Sequence, residues 1–121
     1  MLKEPMHEAS IMQSVFDLAF EQFERESATR IVRLRLRVGA LSGVVPEALA
    51  FAFEAMKPDT PATDADLEFE RVPARLACRH CPREFEPDDY PAACPDCGAW
   101  DADVRQGHEL DLVLVEFVRE E

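Results

Sequence analysis

The sequence predicts an α+β fold: two helices packed on a small three-stranded mixed β-sheet, with a cysteine-built, ribbon-like module inserted before the last strand. Three observations predict it. Two segments space their apolar residues by three and four. Three others read as strands, two of them by alternation. Two Cys-x-x-Cys pairs interrupt the chain between the second and third of these strands.

The first helix is expected from Pro5 to about Arg25. Ile11, Met12, Val15, Phe16, Ala19, Phe20 and Phe23 form one apolar stripe. Pro5 suits a first turn because its missing N–H has no helical acceptor there, and Glu8 meets the positive end of the helix dipole. In IVRLRLRVGALSG, Val32, Leu34, Leu36 and Val38 alternate with Arg33, Arg35 and Arg37, a strand with one buried face. Gly39 and Gly43 mark its end. Pro46 opens a second helix with Leu49, Ala52, Phe53 and Met56 on one side, closed by Lys57-Pro58. After the loop PDTPATDAD, LEFERV sets Leu67 and Phe69 opposite Glu68 and Glu70. The strand–helix–strand order favours parallel pairing of the first two strands. The three arginines are expected to pair across strands with Glu68 and Glu70. HELDLVLVEFV reads as a well-buried last strand. The chain thus divides into an α/β lobe, residues 1–73 and 104–121, and a cysteine lobe, residues 74–103.

The charge sets limits on partners. Against 13 Lys and Arg stand 25 Asp and Glu, a net charge of -12. Such a chain is repelled by nucleic-acid backbones and by anionic membranes, so neither is expected as a partner. No apolar run approaches the roughly 20 residues that span a bilayer. No basic segment leads into an apolar core at the N-terminus, so a cytoplasmic location is expected, where thiols stay reduced.

In CRHCPREFEPDDYPAACPDCG, Cys78 and Cys81 form one pair and Cys94 and Cys97 the other, with 12 residues between. Two such knuckles wrap one tetrahedral ion, which makes the module zinc-ribbon-like and the zinc structural. Iron is the other ion a four-thiolate site holds. Backbone N–H groups are expected to point at the sulfurs, and His80 to face solvent. Tyr90 and Trp100 are expected to pack against the small metal core. No catalytic constellation is visible, so the chain reads as a binding protein, not an enzyme.

Met6-His7-Glu8 sits where the first helix begins. The first N–H groups of a helix have no intrahelical acceptor, so the backbone nitrogens of this turn are available to a metal. In a chain beginning at Met6, a ring nitrogen of His7, the amides of His7 and Glu8, and the α-amine would make a nitrogen-rich planar set of the kind that selects Ni(II) or Cu(II).

MHEASIMQSVFDLA, then IVRLRLRVGALSGVVPEALAFAFEAM, then the cysteine module with its CPDCG knuckle, resemble the HypA/HybF family of hydrogenase maturation nickel metallochaperones. The resemblance runs from Met6 to about the last strand. It implies an α/β nickel-binding lobe and a structural zinc lobe. It implies nickel binding at Met6, His7 and Glu8 and zinc binding at Cys78, Cys81, Cys94 and Cys97. It implies delivery of Ni(II) to the [NiFe]-hydrogenase large-subunit precursor with a HypB-type GTPase. A homodimer is compatible with it. The family's triplet begins the protein, whereas here MLKEP precedes it. The alternative is a zinc-ribbon adaptor or regulator that acts through protein contacts without nickel delivery.

Overall fold

The computed structural model of the chain describes residues 7–119, with the backbone alone for His7. Its elements run α1 (His7–Arg25), β1 (Arg30–Gly39), α2 (Pro46–Met56), β2 (Asp66–Val72), β3 (Arg75–Cys78), β4 (Glu84–Phe85), β5 (Ala102–Gln106) and β6 (Leu110–Val118). The architecture is the predicted α+β one, with three strands inserted between β2 and β6. Pro5 lies outside the described residues. Among the described residues, no helix is long and apolar enough to cross a membrane.

Residues group into two units by their contacts. One holds the helices and most of the first sheet; the other comprises Val38–Gly43 and Arg71–Leu110. The first sheet has the order β2-β1-β6. β1 and β2 run parallel: Arg35 pairs with Glu68, Arg37 with Glu70, and the Ala40 N–H donates to Val72 O, each step advancing on both strands. β6 runs the other way, since Thr29 N–H donates to Val118 O and Gly39 N–H to Glu109 O. The sheet is therefore mixed, and the arginine row is matched by acids as expected. Arg33 also pairs with Glu116 of β6.

The opposite face of β1 carries the core. Met12, Val15, Phe16 and Ala19 of α1, Leu49 and Phe53 of α2, and Leu34, Leu36 and Val38 of β1 are buried. Phe16 packs at 5.8 Å between ring centroids on Phe53, and Phe23 at 6.4 Å on Phe117 of β6. α1 ends in a Schellman arrangement: Ala28 N–H donates to Phe23 O, Ser27 N–H to Glu24 O, and Ser27 has φ 54°.

Two expectations need correction. The alternation in β1 slips by one residue, so Ile31 rather than Val32 takes the buried position. β6 is not well buried: none of its residues is fully covered. Among the described residues it lies at the edge of the sheet, with β1 on one flank and no strand on the other, and its apolar side chains are partly exposed, Val113 the most open.

Gly39 is where β1 meets another stretch of backbone. A Cβ there would lie 2.1 Å from Gly107 O and 2.3 Å from Gly107 C. Backbone cannot swing aside as a long side chain does. Gly39→Ala is expected to cost about 3 kcal/mol, the upper end of the usual overpacking range. Equilibrium unfolding in urea measures it, and a variant as stable as its parent would contradict the close approach.

Candidate metal centre

The inserted module is built to bring four sulfurs together. β3 is the middle strand of a second sheet, order β4-β3-β5, antiparallel on both sides. Leu76 of β3, Phe85 of β4 and Cys94 form its core. The strand ends turn into two knuckles. In the first, Cys78 N–H donates to Arg83 O at 2.9 Å. In the second, Cys94 N–H donates to Ala99 O at 2.8 Å and Gly98 N–H to Cys94 O at 2.9 Å. Gly98 has φ +80° with open space around its Cβ position, so the backbone conformation and not crowding calls for glycine.

The Sγ atoms of Cys78 and Cys97 stand 3.6 Å apart, as do those of Cys81 and Cys94, and all four lie within 4.8 Å of one another. All four cysteines are free thiols, and 3.6 Å is far beyond a disulfide bond of about 2.05 Å. A tetrahedral ion with metal–sulfur bonds of about 2.3 Å sets its sulfurs roughly 3.8 Å apart. The cluster fits such an ion with little adjustment.

Its electrostatics fit as well. The His80 N–H donates to Cys78 Sγ at 3.3 Å. Further backbone N–H groups reach the other sulfurs: Arg83 to Cys81, Asp96 and Cys97 to Cys94, Ala99 to Cys97. Every sulfur thus has an amide, which stabilises negative charge in advance of any metal. With protons alone, Cys81, Cys94 and Cys97 influence one another's titration. Burial works to raise Cys94, but the Cys97 and Asp96 amides and the hydrogen bonds of Cys81 and Cys78 outweigh it and lower it to about 7. At Cys81 the Arg83 amide works downward, and burial with hydrogen bonding to the other three thiols pushes it up to about 12. Cys94 gives up its proton more easily than Cys81 and Cys97 do, because negative charge on one sulfur opposes it on the next. A divalent cation removes that obstacle.

A charged brace holds the first knuckle to β5. Arg79 Nε donates to Asp103 Oδ1 at 2.8 Å, and Nη1 to Asp101 Oδ1 at 3.1 Å. The Arg79 hydrogen bond holds Asp103 below the usual carboxylate range. His80 is exposed, as expected, with Nε2 3.3 Å from Asp101 Oδ2. His108 is exposed too, its Nδ1 3.2 Å from Leu41 O.

Tyr90 and Trp100 correct the sequence reading. They are 51% and 68% exposed and do not form part of the core. Leu76, Phe85 and Cys94 already fill it. The bracing pairs and the amide cage went unassigned to residues in the sequence. The knuckle spacing itself was the signal for the amides, since a turn tight enough for two thiolates also aims its N–H groups at them.

At the other candidate site, Met6 and the His7 side chain lie outside the described residues. The backbone of α1 begins at His7, and Glu8 is half-buried in the first turn.

A family model described as "Hydrogenase/urease nickel incorporation, metallochaperone, hypA" matches residues 6–117. The hydrogenase maturation factor HypA of Picosynechococcus sp. is 43% identical over 113 residues, 93% of this chain and 100% of that protein. The hydrogenase maturation factor HypA of Rhizobium leguminosarum bv. viciae is 37% identical over 113 residues, with the same coverage. The solution structure of the Ni metallochaperone HypA from Helicobacter pylori matches with a TM-score of 0.65 and 26% identity, covering 95% of this chain and 100% of that one. The chain belongs to the HypA family of hydrogenase/urease nickel-incorporation metallochaperones.

Proposed function

We propose that this protein binds Ni(II) through Met6, His7 and Glu8 and hands it to the [NiFe]-hydrogenase large-subunit precursor, with a HypB-type GTPase as partner. The observation that carries the reading is the family match, which begins at residue 6 and so takes in the Met6-His7-Glu8 triplet. With the triplet opening the helix, the amides of His7 and Glu8 would be uncommitted to it, and the His7 imidazole adds a side-chain donor. Nickel is cargo: it must leave, so a site at a helix end suits it better than the cysteine cage.

Cys78, Cys81, Cys94 and Cys97 hold zinc, which locks the knuckles and does no chemistry. A closed four-thiolate set leaves no open position for a substrate. The protein acts as a carrier and not an enzyme, in the cytoplasm. The α/β lobe carries nickel and the inserted lobe carries zinc.

Transfer tests the reading. The full chain loaded with one equivalent of radioactive nickel is expected to load a metal-free large-subunit precursor faster than buffered free nickel does. Equal rates with and without the chain would refute delivery.

The adaptor reading has one observation in its favour, the exposed aromatics Phe51 and Trp100 at 77% and 68%. Such residues often anchor protein contacts. An adaptor would bind the precursor equally well without nickel and would not speed its loading.

A further inference from the structure

The cysteine lobe has a groove that neither metal uses. It measures about 410 Å³. Leu41, Pro73, Ala74 and Pro87 give it an apolar lining, joined by the half-exposed Tyr90 and by Glu86, Asp88 and Asp89. All these residues belong to the same unit.

The charges around it are uneven. Elsewhere in this lobe each carboxylate has a partner. Glu84 pairs with Arg75 and Arg105, Glu86 with Arg75, Asp96 with Arg83, and Asp101 and Asp103 with Arg79. Glu109 accepts the Gly107 N–H at 2.9 Å. Asp88 and Asp89 have no ion pair among the described residues, and both are exposed. A cation arriving here displaces no internal arginine. An apolar side chain beside it finds Leu41, Pro73, Ala74 and Pro87, and a guanidinium finds the Tyr90 ring.

From this juxtaposition we infer that the groove is a docking site for a cationic, leucine- or proline-containing segment of a partner protein. A second copy of this chain is the poorer occupant, because each copy brings a net charge of -12. The inference does not depend on the nickel reading.

The test uses the metal-loaded full chain and a fluorescein-labelled hexapeptide alternating arginine and leucine. Fluorescence anisotropy at low and at physiological salt reads binding, and amide NMR shifts locate it. Shifts are expected at 40–41, 73–74 and 86–90. Asp88→Asn/Asp89→Asn should weaken binding about tenfold at low salt, a loss that shrinks as salt screens the charges. Tyr90→Ala should weaken it as well. Glu24→Gln/Asp64→Asn removes the same net charge from the other unit and should leave it unchanged. Equal losses from both double variants, shifts outside the groove, or equal binding of a glutamate–leucine hexapeptide would each overturn the proposal. So would an Asp88→Asn/Asp89→Asn change in self-association with no peptide binding, which would assign the groove to a second copy.

Discussion

Cys81→Ser is expected to lose its zinc and the fold of the cysteine lobe together, while the helical lobe keeps its structure. The lobe's own core is too small to hold it. Leu76, Phe85 and Cys94 are its buried cluster, with half-buried residues around them. β4 has two residues and β3 four. Such strands do not persist without a cross-link or a metal. In small zinc domains the metal contributes on the order of 10 kcal/mol to folding. Removing one thiolate also leaves a position open to water and three sulfurs whose repulsion the ion no longer balances. The helical lobe stands on different support: Met12, Phe16, Leu34, Leu36, Leu49 and Phe53 are buried, and none of the four cysteines belongs to that unit. Elemental analysis should find the one zinc per chain lost. Amide NMR spectra should show the resonances of 75–106 collapsing while those of α1, β1 and α2 stay dispersed. Acid should mimic the variant in the parent protein, because protons compete with the metal for all four sulfurs. Full zinc content with an intact lobe would remove Cys81 from the metal site.

How far the sequence carried depended on which force set each element. α1, β1, α2 and β2 follow from apolar periodicity: the first three bury one face, and Leu67 and Phe69 of β2 are half-buried. Pro46 at the first position of α2 and the Arg33, Arg35 and Arg37 pairings were equally legible. β3, β4 and β5 were not. Strands of two to five residues carry too little alternation to register, and here the knuckle turns and cross-strand bonds define them. β6 was misjudged because composition shows that a strand is apolar but not whether a neighbour covers its edge. Tyr90 and Trp100 were misplaced for a related reason: aromatic character marks an affinity for burial, but Leu76, Phe85 and the knuckles leave no room. The cysteine quartet was legible in full, since its spacing is a geometric constraint that sequence states directly.

His7→Ala is expected to abolish stoichiometric nickel binding, and the segment before Met6 is expected to tune it. Imidazole is the strongest nickel donor among the side chains of this segment. Without it the amides of His7 and Glu8 have no anchor to bring the ion close enough for their deprotonation. Glu8→Ala should matter less, because the backbone nitrogen at that position survives. A chain beginning at Met6 presents an α-amine, a neutral donor with an ordinary pKa of about 7.7–8.0. It should bind one Ni(II) in a planar, diamagnetic set. The chain beginning at Met1 offers only a peptide nitrogen at Met6, so it should bind more weakly or with more ligands around the metal. Both forms should lose nickel steeply as pH falls, since every proposed donor must shed or lack a proton to bind. Calorimetric titration and nickel absorption spectra on these forms distinguish the cases. The cysteine cage supplies an internal control: zinc content should stay at one in all of them, because its ligands are four thiolates far along the chain. If His7→Ala binds nickel as well as its parent, the cargo sits elsewhere, and the exposed His80 and His108 become the residues to substitute next.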